Sequence, residues 1–304
     1  MPHTSEVEAT SGRKFYLDVP DALGPDEPVT FILNLHGGGS VGAWQRAYFP
    51  AQDYANAYRL VIATPSAATK EPARRWVGEA DDAHLRGIVR QVLGQLGAGR
   101  VKAFWLVGHS QGGMTSNRLL REDRFFQERV DGWLSLSGGR IGPIELPESF
   151  FSPHRARPQL PPGSPRPGQA VTPDCDFSFI FASGEHEMVA LPEASPWAEK
   201  YGAGPRERQA DIVDTAPGQI HDTRFGAEGG PQSTAAWGLL PRPGTARMWV
   251  YPGARGGRVI ADVVRLDKGH TEGLEPKVTE ALIKLIVSAP GGKIQQAEAS
   301  TARA

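Results

Sequence analysis

The strongest constraint on this chain is its punctuation: short, almost wholly apolar runs alternate with longer segments of helical spacing. Residues 15–19, 29–35, 60–64, 101–107, 130–136, 177–181 and 248–251 are brief stretches rich in β-branched and aromatic residues. Several are apolar nearly throughout, which marks strands buried on both faces of a largely parallel sheet. Between them, Leu85, Ile88, Val89, Val92 and Leu96 fall on one face of a helix expected over 82–96, with Asp81 or Asp82 placed to cap it. Residues 114–120 and 278–287 also read as helices. Strands alternating with helices predict an α/β class fold, with a mostly parallel central sheet flanked by helices.

The alternation organises residues 13–288 as one domain, with flexible ends expected at 1–12 and 289–304. Two segments break the rhythm. After the sixth strand, 141–175 is Pro-rich, with nine prolines between Pro143 and Pro173, and can be neither regular helix nor central strand. It reads as a surface loop or as a cap over a site. The second break, 197–237, is glycine-bearing and carries a hairpin signal at Pro217-Gly218. With 304 residues, of which 39% are hydrophobic, the chain can bury a large core without disulfide or metal. A net charge of −1 with scattered signs argues against a nucleic-acid partner. Cys175 is the sole cysteine, and the N-terminal residues are polar and acidic, without a signal-peptide pattern. No apolar run approaches the roughly 18–20 residues that span a bilayer, so no membrane partner is expected and a cytoplasmic location is. Oligomeric state is not readable.

The motif with most chemistry is Gly108-His109-Ser110-Gln111-Gly112, a G-x-S-x-G pentapeptide directly after the strand at 101–107 and directly before a helix. That strand–turn–helix context is what a nucleophile elbow requires, and it makes Ser110 the candidate nucleophile. The second signal is His36-Gly37-Gly38-Gly39, following the strand at 29–35. A glycine run there leaves backbone N–H groups free to face an oxyanion, so the expected donors are the amides of Gly38 and Gln111, with Gly39 as a third candidate. No Gly-Lys-Ser/Thr follows, which argues against a phosphate loop. His36 precedes the nucleophile and reads as a structural hydrogen-bonder.

In this order of motifs the base follows the acid near the C-terminus. His270 lies after a strand at 258–265 and before the last helix, where its loop reaches back to the elbow; His221 is the rival. Ser110 and His270 are expected to meet within a hydrogen bond at the rim of the sheet. The acid should follow the strand at 177–181, where spacing selects Glu187 and leaves Glu185 as the alternative. Neither a metal nor a cofactor is expected: Ala190 stands where H-E-x-x-H would need its second histidine after His186-Glu187. Trp76, Phe151, Trp197 and Trp237 are candidates for a substrate wall, with core packing the competing reading for each.

With these residues in place, the chain resembles the α/β-hydrolase serine esterases, in the branch containing poly(3-hydroxybutyrate) depolymerases, feruloyl esterases and acetylxylan esterases. The resemblance runs from about Arg13 to Val287. It includes Tyr54-Ala55-Asn56-Ala57-Tyr58, Arg75-Trp76 followed by Asp81-Asp82, the Gly112-Gly113-Met114 extension, Tyr251-Pro252-Gly253 and Gly269-His270-Thr271. It implies the α/β-hydrolase fold and hydrolysis of a carboxylic ester through an acyl-enzyme. Members commonly carry cysteine pairs and an Asp acid, whereas this chain has a single cysteine and Glu candidates. The partner implied is a small or oligomeric ester (aromatic, acetyl or hydroxyacyl). Peptide or thioester cleavage, and a non-catalytic binding role on the same scaffold, are the alternatives.

Overall fold

The computed structural model describes residues 4–71, 73–139, 141, 172–187, 191–221 and 242–301. Phe151, Trp237 and most of the Pro-rich segment lie outside the described residues. The strands are β1 (Thr4–Val7), β2 (Lys14–Asp18), β3 (Val29–Leu35), β4 (Leu60–Pro65), β5 (Val101–His109), β6 (Gly132–Leu136), β7 (Ser178–Gly184), β8 (Glu207–Arg208), β9 (Ile212–Val213), β10 (Thr245–Val250) and β11 (Ile260–Arg265). They form a single sheet in the order β1-β2-β4-β3-β5-β6-β7-β11-β10-β8, with β9 also on β10. The central stretch from β4 to β11 is parallel throughout.

Alternation of side chains explains why these runs are apolar at every position. Along β5, Phe104 and Leu106 enter one core, while Ala103, Trp105 and Val107 enter the other. Helices α3 (Gly78–Leu96), α4 (Gln111–Glu122), α5 (Arg124–Arg129) and α6 (Pro196–Lys200) cover the first face, through Leu85, Ile88, Val89 and Val92, through Leu119 and Leu120, through Phe126, and through Trp197. Helices α1 (Gly42–Tyr48), α2 (Ala55–Tyr58) and α7 (Pro276–Ser288) cover the second, with Tyr48, Ala55, Leu282 and Ile286.

The chain leaves β3, builds β4 on one side of it, then crosses to build β5 on the other. That reversal puts a crevice beyond the carboxyl ends of β3 and β5, where open α/β sheets bind ligands. Registers sharpen the point: Leu35 pairs with Gly108, and Gly184 pairs with Arg265. The glycine loop and the elbow therefore start at one level of one edge, and so do the loops carrying Glu187 and His270.

Several local expectations are corrected. Helix α3 begins at Gly78, and neither Asp81 nor Asp82 is its N-cap. Asp81 instead accepts from Val77 N (2.9 Å) and Ala68 N (3.0 Å), and Asp82 takes a bidentate pair from Arg118 (2.6 and 2.7 Å). The ends expected to be flexible hold regular structure: β1 pairs antiparallel with β2, and residues 293–301 form a helix, α8 (Lys293–Thr301). The second case has a tertiary cause, since Ile294 is fully buried and Lys293 N donates to Asp131 (3.1 Å). Among the described residues the hairpin signal at Pro217-Gly218 forms no strand pair, and β8 and β9 each pair with β10.

Burial also fixes how stability depends on pH. Desolvation lowers the pKa of His36 and of His84 to about 4 and that of His109 well below its usual value. An imidazole kept neutral in the fold contributes stability that is complete above about pH 6.5 and lost as pH falls toward 4. Asp131 acts oppositely, because desolvation raises its carboxyl to about 6 and its contribution grows as pH falls. Imidazoles outnumber it, so urea unfolding should show a net loss on the order of 3 kcal/mol between pH 7 and pH 4.5. A stability that is flat or rising toward acid over that range would contradict this assignment.

Candidate active site

The elbow is built by crowding. Ser110 sits at φ 50°, ψ −115°, outside the regions an L-residue prefers. Its N–H donates to Leu136 O (2.9 Å), which pins the turn to the end of β6. The flanking glycines leave no alternative: a Cβ on Gly108 would lie 2.3 Å from the Gly112 carbonyl carbon, and one on Gly112 would lie 2.3 Å from Leu35 O. Gln111 opens α4, so its N–H belongs to the positive end of the helix dipole.

Facing it is the glycine loop. Among the described residues, the N–H groups of Gly38 and Gln111 make no backbone hydrogen bond, and both residues line the cleft. Gly39 does not fit the same role, because its N–H donates to Arg74 O (2.7 Å) and is spent on holding the loop. His36 anchors the loop from behind, with Nδ1 on Gly37 O (2.7 Å) and Nε2 accepting from Ala67 N (3.0 Å). Its depressed pKa keeps it neutral, as an Nε2 acceptor must be.

The loops of Glu187 and His270 are sewn together. Glu185 N donates to Arg265 O (2.9 Å), His186 N to Lys268 O (3.0 Å), and Asp267 N to Glu185 Oε2 (2.9 Å). His186 Nε2 meets Asp267 Oδ1 at 2.8 Å. These contacts set Glu187 against His270, whose Nδ1 lies 3.0 and 3.1 Å from the two carboxylate oxygens. Glu185 is turned to the Asp267 amide and away from the imidazole. The His270 carbonyl accepts from His109 Nε2 (2.8 Å) and Tyr48 OH (3.3 Å), and the His109 and His270 rings lie 4.9 Å apart. Burial holds Tyr48 protonated and His109 neutral, so both serve as fixed donors.

Beneath His270 is a buried charge cluster. Arg265 pairs with Glu275 (2.9 Å) and donates to the carbonyls of Glu272 and Gly273 (both 2.7 Å). Lys268 lies 3.1 Å from Glu275, and Glu272 accepts from Gly269 N (2.7 Å). Burial opposes the charges of Arg265 and Glu275, yet their mutual attraction prevails, raising one pKa and lowering the other. The cluster closes 265–275 into a rigid bracket that presents His270 to the cleft.

Ser110, Gly38, Gln111 and His270 all line one cleft of about 820 Å³. Ser110 and His270 share its wall, but no hydrogen bond joins the Ser110 hydroxyl to an imidazole among the described residues. Such a contact is often long before substrate tightens it. Trp76 and Trp197 do not form a substrate wall. Trp76 is buried behind the glycine loop with Nε1 on His36 O (2.8 Å), and Trp197 is fully buried, donating to Phe177 O (2.8 Å). Sequence reasoning missed Trp44, Arg75, Met114 and Ile220, which do line the cleft; His221, the rival base, lines it too. Arg75 and Met114 sit in segments that carry the family resemblance, but nothing in the sequence assigns any of the four to the cleft, because which way such a side chain faces depends on tertiary packing.

Comparison with solved structures identifies the architecture. An acetyl xylan esterase from Aspergillus awamori superposes with TM-score 0.52 at 11% identity, over 95% of this chain and 99% of that chain. The fold is that of the α/β hydrolases. Among other structural matches are the fluorophosphonate-binding serine hydrolase FphF of Staphylococcus aureus (14% identity, 61% of this chain and 79% of that one, TM-score 0.40) and the butyrate-bound esterase Est2 of Thermogutta terrifontis (18%, 60% and 72%, 0.38). No protein-family model and no curated protein matches the chain.

The bracket under His270 carries a testable energetic consequence. Glu275→Ala leaves Arg265 and Lys268 as buried cations with too little countercharge, which should cost about 3–5 kcal/mol. Urea denaturation at pH 7 measures it, and a loss within about 0.5 kcal/mol would mean that the bracket contributes little.

Proposed function

We propose that the protein is a serine hydrolase that cleaves carboxylic esters through an acyl-enzyme. Ser110 is the nucleophile, His270 the general base and Glu187 the acid that orients it. The observation that carries this reading is the Glu187 carboxylate on His270 Nδ1, at 3.0 and 3.1 Å, in the cleft that also holds a serine on a strained elbow. With Nδ1 protonated toward Glu187, Nε2 is the unprotonated nitrogen, the form that a general base needs.

In the reaction, His270 Nε2 takes the Ser110 proton while Oγ attacks the ester carbonyl. The tetrahedral oxyanion is met by the N–H groups of Gly38 and Gln111. As the intermediate collapses, the C–O bond to the alcohol breaks and His270 returns the proton to the leaving oxygen. Water, deprotonated by His270, then attacks the acyl-serine and releases the acid. Each oxyanion donor is worth about 2.7–4 kcal/mol of transition-state stabilisation in comparable sites. The substrate class that goes with this reading is a small or oligomeric ester with an aromatic, acetyl or hydroxyacyl part.

Two substitutions test the roles. Ser110→Ala should abolish labelling by a fluorophosphonate probe and hydrolysis of p-nitrophenyl acetate; full activity in that variant would refute the assignment. Glu187→Gln should retain probe accessibility but lower kcat by roughly 10²–10⁴-fold. Glu185→Gln should have less than about a threefold effect, and the reverse pattern would exchange the two carboxylates.

A further inference from the structure

The cleft carries a cation that ester hydrolysis does not use. Among the described lining residues, Arg75 alone has a permanently charged side chain; most of the others are glycines, histidines or apolar residues such as Trp44, Met114 and Ile220. Arg75 is exposed, and its side chain makes no ion pair, hydrogen bond or ring contact with a described residue. Other arginines near the site are engaged: Arg265 with Glu275, Arg242 with Asp267 and Glu272, Arg74 with Ala67 O.

Its placement is built and not incidental. The segment carrying Arg75 is stitched on both sides to the oxyanion machinery. Gly39 N donates to Arg74 O (2.7 Å), Trp76 Nε1 to His36 O (2.8 Å), and Trp76 N to the Gln111 side chain (3.3 Å). Arg75 itself forms an antiparallel bridge with Thr69. In such an extended segment successive side chains point to opposite sides. Trp76 is buried behind the glycine loop, so Arg75 is left facing the cleft.

We propose that Arg75 is a specificity residue that selects esters carrying a carboxylate on an apolar body, the guanidinium binding the carboxylate while Trp44 and Met114 cover the apolar part. The planar fork of arginine matches a carboxylate in a two-point contact, and apolar neighbours strengthen the pair once substrate displaces water. This rests on the esterase reading of the same cleft and names its substrate class.

The test compares kcat/KM for two matched pairs. Mono-p-nitrophenyl adipate against p-nitrophenyl heptanoate places the carboxylate on the acyl side. 3-Carboxyphenyl butyrate against 3-carbamoylphenyl butyrate places it on the alcohol side. In the wild type, one pair should favour the anionic ester by roughly tenfold, corresponding to about 1.4 kcal/mol, and less at high salt. In Arg75→Gln that ratio should fall to within about twofold of unity, and in Arg75→Glu it should invert. A wild type with no preference in either pair, or a ratio unchanged in Arg75→Gln, overturns the proposal while leaving ester hydrolysis standing. Calorimetric titration with 3-(butanoylamino)benzoate and with the mono-anilide of adipic acid, amide analogues of the alcohol-side and acyl-side anionic esters, reads the cation without ester turnover. Loss of binding of either one in Arg75→Gln supports the subsite even if no ester is cleaved, and equal binding of both by the two proteins overturns it.

Discussion

Parallel strand register is the constraint on which the site depends. Leu35 opposite Gly108 brings the glycine loop and the elbow out of the sheet side by side, and Gly184 opposite Arg265 does the same for the loops of Glu187 and His270. A slip of one residue in either pair would send the side chains of a strand into the core on the opposite face of the sheet. The cores on the two faces resist that slip, since Phe104 and Trp105 point to opposite sides and both are fully buried. Hydrophobic packing thus sets the level at which polar groups emerge, and the loops need to hold only the last few ångströms.

They hold them at some energetic cost. Ser110 occupies a backbone conformation that is disfavoured by of order 1–3 kcal/mol, and it persists because β6 and the close packing of Gly108 and Gly112 over-determine it. The bracket under His270 buries Arg265, Lys268, Glu272 and Glu275, four charges whose desolvation only close pairing can offset. A hydrophobic bracket of similar volume could be as stable. Its carbonyls at Glu272 and Gly273 would then lose the Arg265 donors that set the path of the loop. The charged version therefore exchanges stability for a defined loop shape, as a group that must meet Glu187 at 3.0 Å requires.

Much of this was legible before any coordinates. Apolar runs announce the parallel strands because burial on both faces forbids polar positions, and the G-x-S-x-G turn between strand and helix announces Ser110. Helix α3 was readable by its apolar stripe but not by its start, because Asp81 resembles a cap and in fact ties the 67–77 connection to the helix from within. Residues 293–301 look like a polar tail, and only the pocket that takes Ile294 and the Asp131 carboxylate that takes Lys293 N make them a helix. Trp76 and Trp197 mark the same limit: residue type says that an aromatic will find a surface to pack on, and only the fold says which surface. The Gly39 amide was lost to Arg74 O for a similar reason, since the partner lies 35 residues away in an irregular segment whose path no periodicity reveals.

That irregular segment joins the parts of the site. Residues 74–76 touch the glycine loop through Arg74 O and Trp76 Nε1, and the first residue of α4 through Trp76 N. The candidate oxyanion donors follow different strands, and this short connection bridges them. The segment whose hydrogen bonds hold the glycine loop thus also places a cation on the cleft wall, so that in the proposed function one piece of chain would serve both substrate recognition and the oxyanion donors.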